Sequence, residues 1–340
     1  MKLSKAAAVF SLALLAGSSY CSAANKIIFG ADDRAEYYEV PERFKAAADA
    51  TVSLWSKSHM KLDPASGKYL LPVRNFGEAN KLCPEVRFRE QTSGASCSGT
   101  LVGEDLVLTA GHCIVKEADC KGMNFVFGYA IAAPGEKART EVDAGDVYAC
   151  SKIVKRELLS YSVTVDHNSP QTVYGPDFAL VQLDRKVSGR KPMAINRLGG
   201  IKKGDRLFIT GHPSGLPFKF TPNGSVVQQV RKEDAYFATN LDAFPGNSGS
   251  AVFNADTLLI EGIHVRGPRP IFLTTFDEGC NIYNVLPQNA GTPGSVNKID
   301  YVLDVIPPLP GEAAAERGIL LDPETLRNED VPARKTVVFD

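Results

Sequence analysis

A run of short β-forming segments broken by turn residues constrains this chain most. CSGTLVG (97–103), DLVLTA (105–110) and NFVFGYAIA (124–132) come first. FALVQL (178–183), RLFITG (206–211), AYFATN (235–240), SAVFN (250–254) and LLIEGIHV (258–265) follow. Each is rich in β-branched or aromatic residues and is bounded by Gly, Pro, Asn or Asp. So little helix lies between them that an alternating α/β sheet is excluded, and an all-β barrel or sandwich is expected. The 29 glycines and 21 prolines supply the turns such a fold needs. A length of 340 residues suits one large β domain or two small ones, and 44% hydrophobic residues suffice for a core.

Helical periodicity is confined to the end of the ordered pattern. In SVNKIDYVLDVI (295–306), Ile299, Val302, Leu303 and Ile306 recur at i, i+3, i+4 and i+7, and Pro307 and Pro308 stop the run. A C-terminal helix is expected there. Residues 36–56 carry a mixed pattern suited to a short helix and a strand, and 57–96 read as a polar surface excursion. Residues 307–340 are Pro-rich and charged, and read as an extended tail.

The first 24 residues read as an export signal: basic Lys2 and Lys5, an apolar run from Ala6 to Ala16, then small residues to Ala23 and Ala24. The run is too short to span a bilayer. Tyr20 is too bulky to precede a lipid-attachment site at Cys21. The mature protein is therefore expected outside the cytoplasm, periplasmic or extracellular, without stable membrane association. A net charge of −1 gives no footprint for nucleic acid. Removal of the signal leaves Cys83, Cys97, Cys113, Cys120, Cys150 and Cys280, an even set that favours disulfides over zinc. Cys97 opens the strand before Cys113, so a bridge between them is expected, clamping two neighbouring strands. Four cysteines then allow three pairings. Cys120 and Cys150 flank one hairpin region, which favours their pairing and leaves Cys83 with Cys280.

Three segments carry the parts that amide hydrolysis needs: a nucleophile, a base beside it, a carboxylate to fix the base, and donors for the oxyanion. His112 lies in TAGHC (109–113) at a strand end. Asp177 lies in GPDFALVQL (175–183) before an apolar strand. Ser248 lies in PGNSGS (245–250), where the glycines permit a tight turn and the N–H groups of Gly246 and Ser248 can converge on an oxyanion. Singly, each has an ordinary reading: a structural histidine, a turn aspartate, a glycine-serine loop. Together they run His, Asp, Ser at separations of 65 and 71 residues, unlike the order of subtilisins or α/β-hydrolases.

These motifs resemble the trypsin-like serine peptidases, in particular their bacterial glutamyl endopeptidase-like branch. TAGHC, DFAL and GNSGS match, as do IIFGADDR (27–34), CSGTLVG, TGHPSGLP (210–217) and GIHV (262–265). The resemblance spans 27–306. It implies two perpendicular six-stranded β-barrels, chymotrypsin-like, meeting near 190–200 within a domain of residues 25–306. His112 and Asp177 would come from the first barrel and Ser248 from the second. It implies a secreted endopeptidase acting on proteins or peptides through an acyl-enzyme, with no metal or organic cofactor, and His212 as a turn residue. It says nothing of oligomeric state. The alternative is a catalytically silent homologue acting as a secreted binding module. Two departures stand out. Asn247 replaces the aspartate that receives trypsin's new N-terminus, although cutting after Lys26 would still expose Ile27. The long stretch bearing Cys83 also lies outside the shared pattern.

The resemblance divides on side-chain preference. His264 matches the histidine that binds the substrate carboxylate in glutamyl endopeptidases, but Ala243 stands where those enzymes use a threonine hydroxyl. Asp242 occupies the position whose aspartate makes trypsin prefer Arg and Lys. If instead it turns into backbone hydrogen bonds, it leaves the pocket permissive. Arg266 is placed to add positive charge at the rim. Acidic preference is expected ahead of basic or broad preference.

Overall fold

The computed structural model describes residues 28–164, 170–222, 225–267, 272–275, 279–288, 294–310 and 312. The expected signal sequence, Ile27 and nearly all of the tail lie outside them. Two β-assemblies dominate. In the first, β1 (Thr51–Ser56), β2 (Cys97–Leu101), β3 (Leu106–Thr109), β4 (Met123–Phe127), β5 (Val147–Thr164) and β6 (Pro170–Leu183) close a barrel in the order β5-β6-β3-β2-β1-β4. Closure removes both open edges. Its interior is filled by alternate side chains, among them Val52, Leu54, Leu101, Phe125, Ala179 and Val181.

The second assembly contains β7 (Leu207–Gly211), β8 (Lys219–Thr221), β9 (Val227–Val230), β10 (Tyr236–Thr239), β11 (Ala251–Asn254), β12 (Ile260–Arg266) and β13 (Gly294–Lys298). They pair in the order β8-β7-β11-β12-β13-β10-β9. An antiparallel bridge between Arg206 and Val226 brings β9 back beside β7, so the second assembly curls into a half-barrel, consistent with the expected double-barrel architecture. The largest apolar cluster joins both assemblies: Leu108 and Phe178 pack from the first, and Phe208, Phe220, Phe253 and Ile263 from the second. Phe208 and Phe253 stack with centroids 4.7 Å apart.

The C-terminal helix is shorter than the periodicity suggests. Gly294–Lys298 pairs with both β10 and β12, so the first half of the expected helix is an interior strand. Only a 3-10 turn, Ile299–Val302, remains, continued by turn backbone to the prolines. Arg197 donates to the carbonyls of Leu303 and Ile306, satisfying acceptors a longer helix would have used. The apolar face survives: Ile299, Val302 and Ile306 are buried.

The 57–96 excursion is partly structured, with short strand pairs and a helix at Phe76–Asn80. It is tied down by Cys83–Cys280. Cys97–Cys113 and Cys120–Cys150 are also bonded, so all three expected pairings occur. The 16-residue span of Cys97–Cys113 corresponds to about 3 kcal/mol in the chain-entropy account. Residues 28–36 cross to the second assembly: Ile28–Phe29 pairs in parallel with Val285–Leu286, and Ala35 bridges Phe220.

Candidate active site

His112 follows β3, and its backbone N–H donates to Asp177 Oδ1 at 3.1 Å. Its ring Nδ1 lies 2.9 Å from Asp177 Oδ2. Asp177 sits on β6 and is fully buried; the ring's other side is open, with 37% of the His112 side chain exposed. Asp177 N–H donates to Asn297 Oδ1 on β13, anchoring the carboxylate's own backbone to the second assembly. A buried carboxylate holding Nδ1–H leaves Nε2 as the basic nitrogen facing solvent.

Ser248 is half-buried in the turn before β11. The turn is fastened to the first barrel through Ser98 on β2, a fully buried residue. Ser98 N–H donates to Ser248 O at 2.9 Å, and Ser98 Oγ donates to Gly246 O at 2.7 Å. His212 N–H donates back to Ser98 Oγ at 2.9 Å. Cys113 Sγ, next to His112, lies 3.7 Å from Ser248 O. The candidate base and the candidate nucleophile thus flank one seam.

Two glycines are compelled here. At Gly249 φ is +87°, and a Cβ would lie 2.2 Å from Thr109 Oγ1 and 2.3 Å from Ser98 O. At Gly246 φ is +99°, with a Cβ 2.4 Å from His212 O. Among the described hydrogen bonds, the N–H groups of Asn247, Gly249 and Ser250 go to Phe244, His264 and Asn247 carbonyls. The N–H groups of Gly246 and Ser248 are not among those used, as an oxyanion site requires.

His264, on β12, is buried, and its Nδ1 has no hydrogen-bond partner among the described residues. Burial pushes it down to about 4, with His112 nearby adding in the same direction, so its ring is neutral at pH 7. Gly267 and Gly294 flank the ring; a Cβ at Gly294 would sit 3.3 Å from Cε1. Ala243 is buried. Asp242 turns away into a backbone hydrogen bond: its Oδ1 accepts from Phe29 N–H at 2.6 Å. Burial, with Asp33 and Asp32 nearby, pushes Asp242 up to about 8. Arg266 does not line a rim; its Nη2 donates to Asp177 Oδ2 at 2.9 Å.

His212 is buried, stacked on Tyr129, and its Nδ1 lies 3.1 Å from Leu216 O. Burial lowers it to about 3, so it stays neutral in its turn. A separate cavity of about 250 Å³ is lined by Tyr37, Asp49, Tyr129, Arg139, Arg190 and His212, and shares no residue with the His112 cluster. Cys97, His112 and Cys113 lie close enough to hold an ion, but the two sulfurs are joined to each other, which leaves no thiolate ligand.

Sequence reasoning missed three contributors. Ser98 gave no signal beyond its place in CSGT. Arg34, within IIFGADDR, is fully buried, paired with Asp32 at 2.7 Å and centred 4.0 Å over Phe244, four residues before Ser248. The bond from Arg266 to Asp177 requires β12 and β6 to meet, which spacing alone does not reveal.

Residues 97–260 match the family model described as a trypsin-like peptidase domain. No curated protein matches the chain. Among solved structures, a Glu endopeptidase in complex with MPD superposes at a TM-score of 0.41 and 16% identity, covering 81% of this chain and 96% of that one.

Proposed function

We propose that this chain, whose residues 97–260 match a trypsin-like peptidase domain, is a secreted serine endopeptidase acting through His112, Asp177 and Ser248. One observation carries the reading: the 2.9 Å contact of His112 Nδ1 with buried Asp177, at the seam where Ser98 holds the Ser248 turn. In this reading His112 Nε2 takes the Ser248 hydroxyl proton as Oγ attacks the scissile carbonyl. The N–H groups of Gly246 and Ser248 receive the oxyanion. His112 then protonates the leaving amine, and water hydrolyses the acyl-enzyme with His112 again as base. Asp177 keeps the tautomer and balances the imidazolium.

Protein or peptide substrates follow from the family. The three disulfides support an oxidising compartment, hence export directed by residues 1–24. Among the described residues no helix is long and apolar enough to cross a membrane. The peptidase domain is assigned to 25–306, its halves joined near 190–200, with 307–340 as a tail.

An acidic residue before the scissile bond is the preferred substrate. Neutral, unpartnered His264 has an open nitrogen for a carboxylate. Asp242, raised to about 8 and held by Phe29, carries no charge at neutral pH to favour Arg or Lys.

Labelling with a serine-directed phosphonate tests the nucleophile. Wild type is expected to take one label, and Ser248→Ala none, with turnover lower by several powers of ten. Near-full activity in Ser248→Ala refutes the assignment. Matched peptides with Glu, Arg or Leu before the scissile bond test the pocket: Glu is expected to be cut fastest, and His264→Ala to erase that advantage. Cleavage after Arg at least tenfold faster than after Glu overturns the acidic reading.

A further inference from the structure

Asp177 Oδ2 is shared. It accepts from His112 Nδ1 and, also at 2.9 Å, from Arg266 Nη2. The guanidinium is mostly enclosed and the carboxylate is buried, so water screens the pair weakly. We propose that Arg266 is a positioning residue that weakens His112 as a base and extends its neutral form to lower pH. The inference rests on the reading of His112 as the general base.

The argument is electrostatic and geometric. A buried carboxylate alone favours the imidazolium, because the charges attract. A guanidinium on the same oxygen opposes that attraction, since its Nη2 is no farther from Nδ1 than the two bonds laid end to end. It also fixes the carboxylate's rotation, so Oδ1 stays with His112 N–H and Oδ2 with Nδ1. The other groups facing this site do not supply the effect. His264 on β12 is neutral. Arg156 on β5 donates through Nε to Gly111 O, not to Asp177. Glu157 is on β5 opposite Phe178, and Asn297 on β13 is uncharged. Arg266 alone of these cations touches the carboxylate that His112 uses.

A serine peptidase needs its histidine neutral at the moment of attack. With Arg266 in place, the acid limb of activity falls at lower pH than with a carboxylate–imidazole pair alone. The same guanidinium reduces stabilisation of the imidazolium formed during attack, which lowers the plateau rate.

Proton NMR of the His112 ring, titrated in a Ser248→Ala background to prevent self-cleavage, reads this directly and needs no peptidase activity. Arg266→Gln is expected to raise the His112 midpoint by about one pH unit. Arg266→Lys is expected to hold it within about 0.3 unit of the parent. Arg156→Gln removes a nearby cation that does not touch Asp177, and is expected to shift it less than half as far. An unchanged or lowered midpoint in Arg266→Gln, or an equal shift in Arg156→Gln, overturns the proposal. Arg266→Met, similar in length and uncharged, replaces the Gln variant if that chain does not fold. In active enzyme, the acid limb of kcat/KM is expected to move with the NMR midpoint. Failure of phosphonate labelling in wild type counts against the peptidase reading, while the NMR shift judges Arg266 separately.

Discussion

Asp242 illustrates how one side chain's surroundings overrule its identity. Its position invites a basic substrate, but burial, outweighing the opposite effect of the Phe29 N–H bond that holds it, makes it a neutral acid below about pH 8. The sign of its effect on stability follows. Below the ordinary value of 3.8 both folded and unfolded chains hold the proton. Between that value and about 8 the unfolded chain releases it and the folded chain keeps it, so rising pH costs stability across this window. Asn accepts the same bond without a charge. Asp242→Asn is expected to match the parent's thermal midpoint at pH 4 and exceed it by several degrees at pH 8. A larger deficit for the variant at pH 8 than at pH 4 contradicts this account. For the candidate site, the residue types were legible: His112, Asp177 and Ser248 each sit in a motif suited to the proposed reaction, and the structure joins the first two. The orientation of Asp242 and of Arg266 was not legible, because each is decided by a partner more than 80 residues away.

At the scale of elements, the Ser248 turn is set by its fit against β2 and β3. Gly249 has its Cα hydrogen where any side chain would strike Thr109 and Ser98. Gly249→Ala combines a positive-φ penalty with overpacking, about 2–4 kcal/mol together. The expected result is a thermal midpoint lower by roughly 10 °C and loss of phosphonate labelling. Full labelling in a chain of parental stability contradicts the fit described. Strands were readable from alternation and turn residues, and β2, β3, β7, β10, β11 and β12 fall where the pattern puts them. The helix over 295–306 was overread because periodicity reports which side chains are buried, not what buries them. Pairing with two neighbouring strands outweighed local preference for residues 294–298. The extra strand β8, paired on β7, was likewise invisible, since it is only three residues long.

At the scale of the molecule, the site belongs to neither assembly. His112 and Asp177 are carried by the first barrel and Ser248 by the second sheet, while Ser98, Asn297 and Arg266 cross between them. Cys83–Cys280 spans 197 residues and encloses the entire candidate site within one covalent ring. Under the proposed activity the protein is exposed to its own cleavage, and a single cut anywhere inside that ring produces two pieces that cannot part. On electrophoresis, singly nicked protein is expected to run at full mass without reductant and as two bands with it; fragments separating without reductant would show the ring is not closed. The bridge that staples a surface excursion therefore also lets a damaged molecule persist as one particle, its two halves still in register.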